Sequence, residues 1–334
     1  MDPERRCLRL CALVLVFSIL LRLSAGGIFA PVGRWLAAPE TASFLIYLQT
    51  GRVVRLTQEP APLPPLPELP APTAPTQTEP AALPRPTFSG DDLEQITMYY
   101  RCDYRPELEP LLTAPLALDL TGPEPKVLIV HTHTCESYTP EFSGQYQPSG
   151  DYRTLDPQYN VLAVGELVAQ KLADAGIGVI QDREFHDYPS YNASYPNTRA
   201  STEAILAEHP SIVLVLDLHR DAADTPAGQL VTSCSINGKA AAQLMMVVGT
   251  DECGLAHPRW QENLGLALKL QALLERETPG ICRKLTLTDQ RYNEHLADHA
   301  LLIEVGAAGN TLAEAKLAAG KLADAIIALS RGSE

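Results

Sequence analysis

Cysteine is thin where it would have to be paired. The chain has seven cysteines, an odd number, and no two stand as CxxC. Cys7 and Cys11 lie in an N-terminal apolar segment, and Cys102, Cys135, Cys234, Cys253 and Cys282 are scattered beyond it. That spacing excludes a zinc ribbon and gives no disulfide framework. Basic charge is also short. With 26 Lys and Arg against 40 Asp and Glu, the net charge of -14 argues against a nucleic-acid partner, whose phosphates demand a basic surface. A long hydrophobic run is lacking too. Residues 10–21 form an uncharged apolar run of a dozen residues, short of the roughly 20 that span a bilayer.

That run still has the flanks of an export or anchor segment. Arg9 and Arg22 can snorkel and lengthen it, and Arg5, Arg6 and Arg9 predict a cytoplasmic amino terminus with the rest of the chain outside. Two readings stand: an uncleaved signal-anchor over residues 1–32, or a cleaved signal peptide with Leu23-Ser24-Ala25-Gly26 as its processing region. Residues 33–90 follow as a membrane-proximal segment and linker. Residues 41–56 are a mixed patch with no assignable role. Eleven of the 28 prolines fall within residues 59–86, which predicts an extended, semi-rigid stalk that cannot bury a core.

Residues 91–334 read as one α/β domain. The pattern predicts a helix over 93–112 with Tyr99, Tyr100 and Tyr104 as anchors, then a strand from Val127 and a Gly- and Pro-rich loop over 140–157 that covers the site. A helix over 160–175, capped by Gly176, a strand over 178–181 and a helix over 198–208 lead to a strand over 212–216. Further strands are expected at 230–236, 241–249, 281–287 and 301–305, with helices at 262–277 and 313–329. Strands alternating with helices imply a mainly parallel sheet with helices on both faces.

Chemistry collects at strand ends. Residues 126–138, KVLIVHTHTCESY, carry an apolar run into His131 and His133, with Glu136 just beyond. Imidazoles one residue apart on one strand face beside a carboxylate form either a metal site or a hydrogen-bonded pair closing a core strand. A second run ends in Asp217, Leu218, His219, Arg220 and Asp221. A third, LLIEV, holds Glu304 in apolar surroundings, where a carboxylate is costly without a partner. Three strands each delivering an acid or imidazole point to a shared site. Asp217 shares a strand face with His219 and would orient it from behind the metal; Arg220 either grips a substrate carboxylate or pairs locally with Asp217. Asn293 and His295, shortly before Glu304, are candidates to line the cleft. Cys135 reads as a small buried residue beside the site.

HTHTCESY, LDLHRDA, YNEHL and LLIEVGAAGNTLAEA, with PSYNASYPNTR and WQENLGLA, resemble in order and spacing the motifs of the stage II sporulation protein P family, membrane-anchored peptidoglycan hydrolases of endospore-forming bacteria. The resemblance runs from about residue 99 to 328. It implies an amidase-like α/β fold, a Zn2+ cofactor, cleavage of the amide between N-acetylmuramic acid and L-alanine with a second, endopeptidase-type activity on cross-links, and engulfment proteins as partners at the sporulation septum. Laid on the related amidase pattern, His133 takes the first ligand position and His131 precedes it. Gln158 stands where that pattern has its carboxylate ligand, so Glu136 or His131 is left as the third ligand beside His133 and His219. His131 is otherwise an orienting group or an oxyanion donor.

Hydrolysis of an amide needs an activated water, a polarised carbonyl and a proton for the leaving amine. A three-ligand zinc provides the first two and Glu304 the third. The alternative reading is a tethered wall-binding or scaffold module that holds metal without chemistry. A metallohydrolase barrel, where HxH also ends a strand, needs about 250 residues and usually an aspartate on its last strand.

Overall fold

The computed structural model describes residues 86–330 apart from 123, 149–151 and 227. The expected anchor over residues 1–32, the patch at 41–56 and nearly all of the proline-rich stretch lie outside the described residues. Among those described, no helix is long and apolar enough to cross a membrane.

The described chain opens with a 3₁₀ turn, Gly90–Gln95, and strand β1, Met98–Arg101. A long helix over 93–112 does not form: the only α-helix in that stretch is α1, Leu108–Thr113. Aromatic residues at 99 and 100 favour an extended edge, and Pro106 removes a donor that a continuous helix needs. The Arg276 side chain latches the entry, its Nε 2.7 Å from Asp92 Oδ1 and its Nη2 2.9 Å from the Thr87 carbonyl.

Strand β2, Pro125–Val130, is buried on both faces, and α2, Val161–Asp174, returns across the sheet to β3, Gly178–Gln181. Asn160 caps α2 by accepting from the Leu162 amide, and Gly176, at φ +83, ends it in the left-handed conformation that glycine permits. Helix α3, Ser194–Glu208, leads to β4, Leu214–Asp221. The strand therefore continues through the whole LDLHRD cluster. Two small hairpins follow: β5, Asp224–Thr225, with β6, Gly228–Gln229; and β7, Cys234–Ile236, with β8, Lys239–Ala241. The remaining elements are β9, Leu244–Gly249; α4, Trp260–Glu277; β10, Leu285–Thr288; β11, His299–Ala307; and α5, Leu312–Ser330.

The seven-stranded sheet has the order β1-β10-β9-β11-β4-β2-β3. Every neighbouring pair is parallel except β9 with β11. The strand alternation of β2 shows why both faces are covered. Val127 and Ile129 join the large core under α2, α4 and α5, whereas Leu128 and Val130 pack with Ile205 and Leu206 of α3 on the opposite face. Full burial of each such aliphatic side chain is worth about 1.5–3 kcal/mol. The antiparallel seam leaves β2, β4 and β11 as adjacent parallel strands, so their carboxyl ends open on one edge. In open α/β sheets that is where ligands bind.

Candidate active site

Glu304 of β11 is the register partner of His219 of β4. The pairing places the two side chains next to each other on one face of adjacent strands. Glu136, in the turn after β2, completes the group: its Oε2 accepts from the Arg220 amide at 3.1 Å and lies 3.5 Å from His219 Nδ1. His133 meets His219 edge-on, with ring centroids 5.4 Å apart.

His219 sits between two carboxylates. Its Nε2 is 2.9 Å from Asp217 Oδ1, although off the line of a hydrogen bond. Asp217 is itself fixed by Thr132, whose amide donates to Oδ1 at 2.8 Å and whose hydroxyl donates to Oδ2 at 2.6 Å. Burial alone would neutralise this imidazole, but Asp217 and Glu136 hold its pKa well above the ordinary value. Burial likewise opposes ionisation of Glu136, yet the hydrogen bond and charge of His219, with the Arg220 guanidinium, bring it down to about 2. Glu304 goes the other way. The residue is partly exposed at the cleft, but its Oε2 is shielded and has no hydrogen-bond partner, and burial pushes its pKa up to about 8 against the pull of His219.

His131 is not brought into this group. Strand β2 ends at Val130 and residues 132–135 turn, so the one-face rule for alternate strand residues no longer applies. Its Nδ1 donates to the Leu218 carbonyl at 2.9 Å, and its Nε2 accepts from Gln181 Nε2 at 3.0 Å. Burial lowers its pKa to about 4, which matches a neutral ring with one donor and one acceptor nitrogen, both in use. As a ligand or oxyanion donor it has no nitrogen to offer; it is a core imidazole.

Arg220 is only 3% exposed. Its Nε donates to the Ser137 carbonyl at 2.9 Å and its Nη2 to the Tyr152 carbonyl at 3.0 Å, while Nη1 lies 3.7 Å from Glu136 Oε1. The side chain ties the turn after β2 to the covering loop and leaves little of itself for a substrate. Asn293 donates to the Tyr195 carbonyl at 3.1 Å and, with Asp217 and Tyr292, lines a crevice of about 10 Å³, the size of one water. His295 faces His257 at a centroid distance of 6.4 Å. The structure does not bring Asn293 or His295 to the main cleft. Cys135 is buried, and that burial raises its thiol to about 12, too high for a nucleophile.

Sequence reasoning missed four residues. Tyr191 stacks flat on His133, with centroids 4.4 Å apart and planes 3° from parallel, and Tyr195 meets the same imidazole edge-on. The Arg153 guanidinium lies over the Tyr191 ring, 5.0 Å from its centroid, and pairs with Asp187. The PSYNASY motif had carried Tyr191 and Tyr195 in plain view, but only a contact across the fold reveals their target. A cleft of about 430 Å³ opens on Glu136, Arg153, Tyr191, Arg220, Asp224 and Gln229. The loop expected over the site supplies Arg153, which bridges to Glu136 through the backbone.

The donor chemistry suits a divalent metal. Two donors on one tetrahedral zinc stand about 3.3 Å apart, close to the 3.5 Å between His219 Nδ1 and Glu136 Oε2. His133 Nδ1 is buried without a hydrogen-bond partner. Among the described residues, however, no three such side chains stand at coordination geometry. The group is a set of neighbours, with two of its donors already at ligand spacing.

A family model described as stage II sporulation protein P matches residues 76–327. The stage II sporulation protein P of Bacillus subtilis (strain 168) is 31% identical over 215 residues, covering 61% of this chain and 51% of that protein. The chain therefore spans about half the length of that curated relative. Among solved structures, an N-acetylmuramoyl-L-alanine amidase of Nostoc punctiforme overlaps 63% of this chain and 96% of its own at 12% identity and a TM-score of 0.36. The CwlD amidase from Clostridioides difficile, solved in complex with the GerS lipoprotein, overlaps 60% and 94% at 13% identity and a TM-score of 0.35.

Proposed function

Since the chain belongs to the stage II sporulation protein P family, we propose that it is a peptidoglycan hydrolase of sporulation, and more narrowly an amidase that cuts between N-acetylmuramic acid and L-alanine of the stem peptide. The observation that carries this reading is the juxtaposition of Glu304 with His219 and Glu136 at the carboxyl edge of three parallel strands. An endopeptidase activity on cross-links, a role in engulfment, partner proteins of the engulfment machinery and an extracytoplasmic, membrane-anchored catalytic domain extend the same proposal.

His133, His219 and Glu136 are the residues that would hold a zinc ion, which when bound supplies an acidified water and Lewis acidity for a carbonyl. The protein's own groups do the rest. Glu304 holds its proton close to neutrality, so it can take a proton from water and give one to the leaving amine with little cost in either direction. The Asp217 carboxylate lies against the Nε2 side of the His219 ring, and Nδ1 faces Glu136. Arg220 and Thr132 hold Glu136 and Asp217 in place from the backbone side. The cleft beside Tyr191 and Arg153 has room for a few residues of a stem peptide.

Purified sacculi treated with the protein, with and without a chelator, test the reading by mass spectrometry of the released fragments. Free stem peptides beginning with L-alanine are expected, and the chelator abolishes them. Intact sacculi under all metal conditions would support the scaffold reading, which gains from there being no formed three-donor set among the described residues.

A further inference from the structure

Each imidazole of the candidate site has its own carboxylate. Asp217 serves His219. For His133 the group is Asp187, a residue with no role in the chemistry above. Asp187 is buried, its Oδ2 lies 4.0 Å from His133 Nδ1, and that Nδ1 is buried and unpartnered. The carboxylate is held from two other directions. Its two oxygens accept from the Cys135 amide at 3.1 and 3.2 Å, and Arg153 pairs with Oδ2. Arg153 in turn lies over Tyr191, and Tyr191 stacks on the His133 ring. The contacts close a circuit, Asp187 to Arg153 to Tyr191 to His133 and back to Asp187.

We infer that Asp187 is the positioning residue for His133: it accepts a hydrogen bond from Nδ1–H, fixes the tautomer, and leaves Nε2 as the donor nitrogen toward the cleft. The inference rests on the metal-site reading of the previous subsection. A hydrogen bond needs about 3 Å, so the ring and the carboxylate close by about 1 Å from their present separation. Three things favour that movement. The aromatic face of Tyr191 lets the imidazole slide in its own plane without losing the stack. The Arg153 pair keeps Asp187 oriented toward the ring. A buried imidazole nitrogen without a partner is costly, and Asp187 offers an acceptor within reach. Carboxylates behind ligating histidines commonly set ring orientation and basicity, and their loss weakens metal affinity about 10–100-fold.

Zinc affinity of the full chain, measured by competition with a chromophoric chelator, tests this. Asp187→Asn is expected to lower affinity 10–100-fold, and Asp187→Glu to recover part of it. If Asp187 merely pinned the loop through Arg153, Asp187→Asn would lower the melting temperature and leave zinc affinity at the wild-type value; that outcome overturns the inference. Ring-nitrogen NMR of zinc-loaded wild-type protein provides a reading that needs no stable Asp187 variant. With the His133 signal identified by its loss in His133→Gln, a proton on Nδ1 supports the inference and a proton on Nε2 overturns it. Wild-type affinity retained in both His219→Ala and His133→Gln removes the metal-site reading and this inference with it. Affinity lost in those two variants but unchanged in Asp187→Asn removes this inference alone.

Discussion

Glu304 and His219 sit opposite one another across the parallel pair β11 and β4, registered residue to residue. Backbone hydrogen bonding, rather than a mobile loop, thus sets the spacing between the proposed proton carrier and the imidazole. Conservative replacement of either side chain should leave the sheet standing. Glu304→Gln is expected to cut fragment release from sacculi about 10²–10⁴-fold, the usual share of general acid–base catalysis. Circular dichroism should be unchanged. Digestion at the wild-type rate would take Glu304 out of the mechanism.

The chelated protein has a pH profile whose sign follows from three groups. Glu136, lowered from 4.5 to about 2, contributes stability above roughly pH 4.5 that is lost as pH falls toward 2. His219, raised above 6.5, contributes stability present in full below that value and lost as pH rises through its folded pKa. Glu304, raised from 4.5 to about 8, resists ionisation, so its share declines between those two values. From these three groups the melting temperature of metal-free protein should peak near pH 4.5 and fall on both sides. Glu304→Gln should flatten the alkaline fall; a melting temperature that climbs steadily from pH 5 to 9 would contradict the assignment.

Arg220 gives the sharpest contrast between a binding role and a structural one. Its guanidinium is spent on the Ser137 and Tyr152 carbonyls beside Glu136. Arg220→Ala strips those acceptors of their donor and leaves Glu136 without its cation, which costs on the order of 3–5 kcal/mol. Denaturant unfolding should show that loss directly. A variant of normal stability with only a raised KM would return Arg220 to the substrate.

Gly165 is the test of His131. A Cβ there would come within 2.5 Å of both His131 Nε2 and Gln181 Nε2. Gly165→Ala is expected to cost about 1–3 kcal/mol by overpacking, with the His131 ring displaced from Gln181. The measurement is thermal unfolding with histidine ring NMR. Zinc affinity should change little, because His131 offers no free nitrogen.

Much of the frame was legible because its signals are local. The run after Lys126, the asparagine and glycine bounding α2, and the amphipathic pattern of α4 each encode an element through near neighbours. The β1 edge was not, since two tyrosines beside a methionine suit a helix face or a strand equally until β10 supplies a pairing partner. The same divide runs through the site. Glu304, Glu136, His133 and His219 stood out as polar residues where apolar runs end. Asp187, Arg153 and Tyr191 belong to loops with no period, and their meaning arises only from contacts spanning 34 to 58 residues of chain: Arg153 with Asp187 and Tyr191 with His133. His131 was misplaced because an alternation rule was carried one turn beyond the end of its strand.

The entry of the chain into this domain has a mechanical side. Thr87 and Asp92 are clasped by Arg276 of α4, and the first strand joins the sheet at the β1 border, three strands from the one that carries Glu304. A force applied at Thr87 would meet that clasp and the β1–β10 pairing before it met the strand that carries Glu304.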